Sequence, residues 1–237
     1  MTGQAPPLLA ADSIVRRYGG RTVLDAASVD ATAGTVTALV GVVGAGKTTL
    51  LEIAVGVRRP TSGQVRWNGT RVARPSLAAL SRLGVMYAPA AGWLGTRVPV
   101  GRQLALGAAA WDSDWLAIAR ESGIESQLDA LPPALSPGEQ RLAELALARV
   151  CRPAVLVIDE PFRALDPLWR EAIARQLGTL ARNGSAVLFA DHDARMVREI
   201  ADRVVAIERG RTRRVPEFRD RPIEEWYHAW AGGGSYI

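Results

Sequence analysis

Short apolar runs alternate with segments of helical periodicity along most of the chain. The apolar runs predict β-strands over residues 8–15, 23–29, 35–40, 64–68, 70–72, 84–87, 155–158, 186–189 and 204–207. Helical spacing predicts α-helices over residues 48–55, 137–150, 167–181 and 194–201. Strands interleaved with helices in this way predict an α/β fold built around a parallel sheet.

Two further segments refine this picture. Asn68-Gly69 predicts the turn of a hairpin, and hence an antiparallel β subdomain. Residues 101–131 are rich in alanine and leucine, with Trp111 and Trp115 four residues apart on one face of a predicted helix. We therefore predict one domain: an α/β core with the β subdomain over residues 1–90 and 150–215, an inserted helical subdomain over 91–149, and a tail over 216–237.

Composition narrows the class of protein. The 237 residues are 48% hydrophobic and 22% charged, which is ample for a core. No apolar run reaches about 18 residues and the start lacks a signal-peptide pattern, so we expect neither a membrane span nor a secretory signal. The single cysteine, Cys151, excludes an internal disulfide and fits a reducing compartment. The net charge is +5, but the arginines are scattered outside residues 209–214, so we expect no nucleic-acid partner.

The most specific chemical motif lies between the strand predicted at 35–40 and the helix at 48–55. Residues 41–49 read GVVGAGKTT and fit the phosphate-loop pattern G-x-x-x-x-G-K-[ST] at every fixed position. Lys47 is the only lysine of the chain, and a compact ammonium suits a phosphate cradle better than arginine's planar fork. Loop N–H groups would hold the phosphates, Lys47 would bind the β and γ phosphates, and Thr48 would bind Mg²⁺. The predicted nucleotide-binding positions are Gly41, Gly44, Gly46, Lys47, Thr48 and Thr49.

A second acidic element follows the apolar strand predicted at residues 155–158. Asp159 and Glu160 come directly after it, at the carboxyl edge of the predicted sheet. The phosphate loop opens at the same edge, because ligands of open parallel sheets bind there. We expect Asp159 to hold Mg²⁺ through water, and Glu160 to orient or deprotonate an attacking water.

In order and spacing, these motifs resemble those of the ATP-binding cassette (ABC) family over about residues 8–210. Residues 135–139, LSPGE, are similar to the family signature L-S-G-G-[QE], with proline at the first glycine. Ala164-Leu165-Asp166 matches the loop that touches the opposite subunit. His192 matches the switch histidine, and Tyr18 matches the aromatic residue that stacks on adenine. The resemblance implies a P-loop NTPase (RecA-like) core with ATP and Mg²⁺ as cofactors.

The resemblance also implies a mechanism in which two cassettes sandwich two ATP molecules head to tail. Ser136 and the Gly138 N–H would reach the γ-phosphate bound by the opposite subunit, and Asp166 would lie at the same interface. His192 would contact the phosphate within its own subunit, while Glu160 polarises water. The implied partners are a second ABC subunit and transmembrane permease subunits, at the cytoplasmic face of a bacterial-type cell membrane.

Two positions depart from the family pattern. Ala90 stands where the family has a glutamine that touches Mg²⁺ and relays the state of ATP, and no glutamine occurs between Gln64 and Gln103. Pro137 lacks the backbone N–H that a glycine would supply. Hydrolysis is expected to survive with weaker coupling.

Apolar residues beside these motifs leave two interpretations open. Trp93 and Leu94 fit either a permease contact or a tucked core position. Trp226 and Trp230 fit packing on the body better than a partner contact.

The leading interpretation is therefore the ATPase subunit of an ABC transporter. One alternative is a weakly hydrolysing regulatory subunit of a heterodimer, suggested by Ala90 and Pro137. Another is a soluble ATPase linked to nucleic acid, suggested by the basic pI of about 10.1. The transported substrate and the direction of transport cannot be read from this chain.

Overall fold

The computed structural model describes residues 6–220 and 222, and it places most of them in two β-sheets and the helices around them. Trp226 and Trp230, which the sequence analysis expects to pack on the body, lie outside the described residues. No helix within the described part is long and apolar enough to cross a membrane.

The larger sheet has six strands in the order β10-β9-β3-β8-β7-β6. All neighbours are parallel except β10 and β9, which are antiparallel. The strands are β3 (Val36–Val40), β6 (Val85–Ala88), β7 (Val155–Asp159), β8 (Ala186–Asp191), β9 (Arg203–Glu208) and β10 (Arg211–Arg214). The carboxyl ends of β3, β8 and β7 therefore stand side by side at one edge.

The smaller sheet has four antiparallel strands in the order β2-β1-β4-β5. Its strands are β1 (Leu9–Tyr18), β2 (Arg21–Ala31), β4 (Ser62–Trp67) and β5 (Thr70–Arg71). Asn68 and Gly69 join β4 to β5, with φ angles of 46° and 76°. Two successive positive φ values are those of the hairpin turn that Asn-Gly favours.

The described residues form seven α-helices. They are α1 (Lys47–Ala54), α2 (Leu77–Ser81), α3 (Val100–Trp111), α4 (Trp115–Glu121), α5 (Pro137–Cys151), α6 (Pro167–Arg182) and α7 (Ala194–Ile200). Helix α5 packs against α3, α4 and α6. It therefore joins the helical part of the molecule to the sheet.

The central strands are buried on both faces and alternate between two apolar cores. On β7, Leu156 and Ile158 belong to the core shared with α3, α5 and α6. Val155 and Val157 belong to the core shared with α1 and the antiparallel sheet. Alternation with a period of two is what a strand presents, so a continuous apolar run can feed both layers. The predicted α/β arrangement with an antiparallel sheet and helical parts is confirmed.

The structure differs from the sequence prediction in four places. Trp111 and Trp115 do not share a helix, because Asp112 has a φ of 47° and ends α3 before α4 begins. The arginine-rich run near residues 209–214 contributes the edge strand β10, which the sequence did not predict. Helix α2 was not predicted either, because its five residues are too few to show helical periodicity. The subdomain boundary predicted between residues 149 and 150 falls inside the last turn of α5.

Candidate nucleotide-binding site

The phosphate-loop motif lies between β3 and α1, at the carboxyl edge of the six-stranded sheet. Gly46 is the N-cap of α1 with a φ of 104°, and a Cβ there would lie 2.8 Å from Leu24 Cδ2. A Cβ on Gly41 would lie 2.5 Å from the Ile207 carbonyl oxygen. Gly44 also has a positive φ of 81°. These glycines are required by close approach or by backbone conformation, so the motif is structurally satisfied in this chain.

Lys47 is buried, with only 7% of its surface exposed. Its Nζ donates hydrogen bonds to the carbonyl oxygens of Gly41 at 2.7 Å and Val42 at 3.0 Å. Burial lowers the pKa of the Lys47 ammonium, and the charges of Glu160 and Asp159 oppose that shift. The ammonium is thus held inside the loop and faces the acidic groups at the end of β7.

Asp159, the last residue of β7, is joined directly to the start of α1. The Thr48 Oγ1 hydroxyl donates to Asp159 Oδ2 at 2.7 Å. Asp159 is 2% exposed, and its Oδ1 is buried without a hydrogen-bond partner among the described residues. Burial raises the pKa of Asp159, although the Thr48 bond lowers it in part. A buried carboxylate oxygen without a partner is costly, so a group that bonds to this oxygen would be stabilised here.

The Thr48 hydroxyl and the Asp159 carboxylate have the chemistry of Mg²⁺ ligands. The ion prefers oxygen ligands and is usually held by one or two protein carboxylates together with waters and substrate phosphates. Thr48 and Asp159 could supply such a partial set. In the part of the chain that the structure describes, no three His, Cys, Asp or Glu side chains gather into a metal cluster, so no all-protein cage is found there.

Glu160 follows Asp159 in a left-handed backbone conformation, with a φ of 46°. Its N–H donates to the Ala190 carbonyl oxygen at 2.8 Å, which ties the turn after β7 to β8. The carboxylate forms an ion pair of 3.1 Å with Arg163, whose side chain is mostly exposed. Glu160 therefore stands beside Asp159 with a positively charged neighbour that the sequence motifs did not indicate.

His192 is positioned by Asp191, the last residue of β8. Asp191 is buried and accepts hydrogen bonds from the backbone N–H groups of His192 at 2.7 Å, Asp193 at 2.9 Å and Phe162 at 3.2 Å. Burial raises the pKa of Asp191, and these hydrogen bonds oppose the shift. Asp191 thus fastens the turn after β7 to the segment carrying His192. The only sequence signal for it was the Asp-His-Asp run at the strand end.

The LSPGE segment begins α5, away from the phosphate loop along the chain. The Ser136 N–H at 2.8 Å and the Ser136 Oγ at 2.7 Å both donate to Glu139 Oε2, and the Glu139 N–H donates back to Ser136 Oγ at 3.4 Å, which completes a capping box. These bonds lower the pKa of Glu139. A Cβ on Gly138 would lie 2.3 Å from Trp169 Cδ2, so glycine is needed there. The first turn of α5 is therefore packed tightly against α6.

The remaining predicted residues lie at the edges of the site. Tyr18 ends β1 and is 39% exposed, with the Arg16 guanidinium 4.4 Å from its ring centroid. Asp166 is the exposed N-cap of α6 and accepts from the Trp169 N–H at 3.1 Å. Ser136 contacts Glu139, and Gly138 packs against Trp169. The residues that meet at the sheet edge are Lys47, Thr48, Asp159, Glu160 and His192.

An apolar groove of about 340 Å³ lies beside β6, the edge strand of the larger sheet. Its walls include Leu77, Met86, Trp93, Trp111 and Cys151. Trp93 is partly buried against the helical core rather than fully exposed, and its Nε1 has no hydrogen-bond partner among the described residues. Trp93, in the loop that follows β6, is thus one of its walls.

Comparisons with known proteins agree with this geometry. The sequence model of the ABC transporter family matches residues 24–163, more than half of the chain. The zinc import ATP-binding protein ZnuC of Halorhodospira halophila is 35% identical over 86% of this chain and 75% of its own length. The aliphatic sulfonates import ATP-binding protein SsuB 2 of Paraburkholderia xenovorans is 33% identical over 88% of this chain and 80% of its own length.

A solved structure of the ATP-binding subunit of an ABC transporter superposes with a TM-score of 0.80 at 25% identity. The match covers 94% of this chain and 99% of that one. This superposition confirms the predicted P-loop NTPase fold. The chain therefore belongs to the ABC transporter family, as an ATP-binding subunit with the ATPase activity that is general to this domain.

Proposed function

We propose that this chain binds Mg²⁺-ATP at the β3–α1 loop and hydrolyses it in a head-to-tail dimer to drive transport through separate permease subunits. The observation that carries the proposal is the Thr48–Asp159 hydrogen bond of 2.7 Å, with Asp159 Oδ1 buried and unpartnered beside it. This arrangement supports a metal site at the mouth of the phosphate loop.

The phosphate-loop residues would hold the triphosphate. The N–H groups after Gly41, Gly44 and Gly46 and the start of α1, including Thr49, favour anionic oxygens. Lys47 would exchange its carbonyl partners for β- and γ-phosphate oxygens. Tyr18 is exposed enough to stack on adenine.

The acidic edge would supply the hydrolytic step. Mg²⁺ held by Thr48 and Asp159 would neutralise phosphate charge. Glu160 would orient a water and accept its proton, while His192 would bind the γ-phosphate from the end of β8. Arg163 would have to release Glu160 for that role, because the ion pair now occupies the carboxylate.

A second subunit would complete the site. Ser136 and Gly138 at the start of α5 would face the ATP of the opposite subunit, with Asp166 at the same interface. The Ser136 hydroxyl is now bonded to Glu139, so binding a phosphate would exchange one acceptor oxygen for another.

The permease subunits would bind at the apolar groove beside β6. An apolar concavity with Trp93 and Trp111 in its walls suits a partner segment with apolar side chains. The subunit would then lie at the cytoplasmic face of the membrane. The arginine-rich β10 does not support a nucleic-acid partner, because Arg211 and Arg214 are paired with Asp25 and Asp30.

Two substitutions at the site test the hydrolytic function. Lys47→Ala removes the phosphate-binding ammonium, so ATP affinity and turnover should both be lost. Glu160→Gln keeps the shape of the site but removes the base, so ATP should still bind while turnover falls about 100-fold or more. Equilibrium binding of a fluorescent ATP and steady-state release of phosphate measure the two effects.

The outcomes separate this proposal from the alternatives. Turnover unchanged in either variant would refute the assigned roles. Tight ATP binding without turnover in the wild type would favour the weak regulatory subunit, which Ala90, Pro137 and the Glu160–Arg163 pair make a specific second candidate. Hydrolysis stimulated by DNA in a salt-sensitive manner would favour the nucleic-acid-linked ATPase.

A further inference from the structure

A buried ion pair lies on the first two turns of α5. Arg141 Nη1 and Glu144 Oε2 are 2.7 Å apart, and the two side chains are only 9% and 4% exposed. Burial raises the pKa of Glu144, and the charge of Arg141 opposes this shift. Such a pair is weak evidence for stability, because removing two charges from water costs about as much as their attraction returns. Stability alone therefore does not explain why this ion pair is buried here.

Both partners of this pair also bind the loop after β6. The Trp93 N–H donates to Glu144 Oε1 at 2.9 Å, and Arg141 Nη2 donates to the Ala90 carbonyl oxygen at 3.4 Å. Gly92 has a φ of 86°, and a Cβ there would lie 2.7 Å from Glu144 Oε1. The loop over residues 90–93 is thus wrapped around a carboxylate that belongs to α5.

The loop and the helix lead to different functional surfaces. Trp93 lines the apolar groove beside β6, where we place the permease. At the other end, one turn before Arg141, α5 begins at Ser136 and Pro137. A cavity of about 220 Å³ separates the two segments and is lined by both of them, together with Ala164 of the loop that leads to Asp166. The ion pair bridges these segments beside that space.

Ala90 has only a methyl group, so no side chain at this position can report on the nucleotide. The backbone bonds of Ala90 and Trp93 to α5 are the connection that the structure offers instead. We propose that Arg141 and Glu144 are positioning residues that tie the loop over residues 90–93 to α5, so that the occupancy of the groove sets the placement of Ser136 toward the opposite subunit's ATP. This inference rests on the proposed function.

The test uses ATP-driven dimerisation of the full chain in a Glu160→Gln background, which lets the ATP-bound dimer accumulate. Arg141→Leu/Glu144→Leu replaces the pair by apolar residues and should leave the melting temperature about equal to that of the parent. ATP affinity of the monomer should stay within about twofold, because the phosphate loop is untouched. The dimer dissociation constant, from sedimentation velocity with Mg²⁺-ATP, should rise about tenfold or more.

A matched control and two milder variants keep the test decisive. The exposed pair Arg120–Glu125 on the same helical part makes no contact with the loop, so Arg120→Leu/Glu125→Leu should dimerise like the parent. If the Leu/Leu variant does not fold, Glu144→Gln keeps the Trp93 bond but loses the ion pair and should show a smaller loss of dimerisation, while Arg141→Lys keeps the positive charge and should dimerise almost like the parent.

The possible failures are distinguishable. A parent that dimerises with ATP, together with pair variants that dimerise equally well, would overturn this inference and leave the proposed function standing. A parent that binds Mg²⁺-ATP but stays monomeric would overturn the head-to-tail site, and the inference with it.

Discussion

At the scale of single residues, the site concentrates buried charge where a ligand is needed. Lys47, Asp159 and Asp191 are all buried at one sheet edge. Burial lowers the pKa of the lysine and raises the pKa of both aspartates, so each ionised form is disfavoured without a counter-charge. Titratable groups with shifted pKa values tend to gather at functional sites.

Asp159→Asn should therefore stabilise the protein while removing its activity. The neutral amide avoids burying a carboxylate with one unpartnered oxygen. At neutral pH without Mg²⁺, this should raise the free energy of unfolding by about 1 kcal/mol and the melting temperature by roughly 2–4 °C. Mg²⁺-dependent turnover should fall about 100-fold, because metal stabilisation of phosphate charge is worth several kcal/mol. Calorimetry and phosphate release measure both.

The pH dependence of that stabilisation has a definite sign. Because the pKa of Asp159 is raised on folding, the folded protein loses stability relative to the unfolded chain as the pH rises through the folded pKa. The advantage of Asp159→Asn should thus vanish in acid, where the aspartate is protonated in both states. Asp166→Asn is the control. Asp166 is exposed and caps α6, and asparagine caps a helix as well as aspartate does, so this substitution should leave the stability nearly unchanged. A stability gain that persists unchanged at acidic pH would contradict this explanation.

At the scale of elements, local motifs were predictable and contacts between distant segments were not. The phosphate loop, the strand ending at Asp159 and the helix starting at Pro137 each follow from patterns within about ten residues. The ion pair of Arg141 and Glu144 acts on a loop about 50 positions earlier in the chain, and no local pattern encodes that meeting. The prediction that Trp111 and Trp115 share one helix was wrong. Their spacing is helical, but Asp112 adopts a left-handed conformation and ends α3 between them.

The start of α5 offers a prediction in which stability and activity change in opposite directions. Pro137→Gly adds one N–H to the orphan donors of the helix start, so turnover of the dimer should rise, by up to roughly tenfold if the donor meets a phosphate oxygen. Loss of the preset proline backbone should lower stability by roughly 0.5–1 kcal/mol.

Steady-state ATPase kinetics and thermal melts measure these two effects. The control is Pro133→Gly in the short 3-10 helix Pro132–Ala134, outside the signature segment, where only stability should fall. Unchanged turnover in a folded Pro137→Gly protein would show that the missing donor does not limit hydrolysis.

At the scale of the whole molecule, the chain has two working faces. The carboxyl edge of the six-stranded sheet carries the residues that we propose bind the nucleotide, and the groove beside β6 carries exposed apolar surface. Helix α5 lies between the helical part and the sheet and touches segments that lead to both. We therefore expect the groove, which is mostly apolar, to be the surface that binds the proposed permease partner.

Trp111→Asp should therefore weaken binding to the permease subunits. Its side chain is 48% exposed in the groove wall, and loss of a central aromatic contact typically costs about 2 kcal/mol, or more than tenfold in affinity. Sedimentation of the purified protein with washed membranes that contain the transporter measures the bound fraction. Leu106→Asp lies on the same helix, is 63% exposed and does not line the groove, so it should bind normally. Equal losses in both variants would argue against the groove as the docking surface.

The buried lysine of the phosphate loop can be used as a chemical probe of that loop. Because Lys47 is the only lysine, a lysine-specific protease has a single internal cleavage point, and an amine-reactive dye has only that side chain besides the terminal amine. Its ammonium is shielded by two loop carbonyls, so cutting and labelling both require the loop to open. The chain thus carries a built-in chemical reporter of the state of its own nucleotide loop, with no residue to engineer.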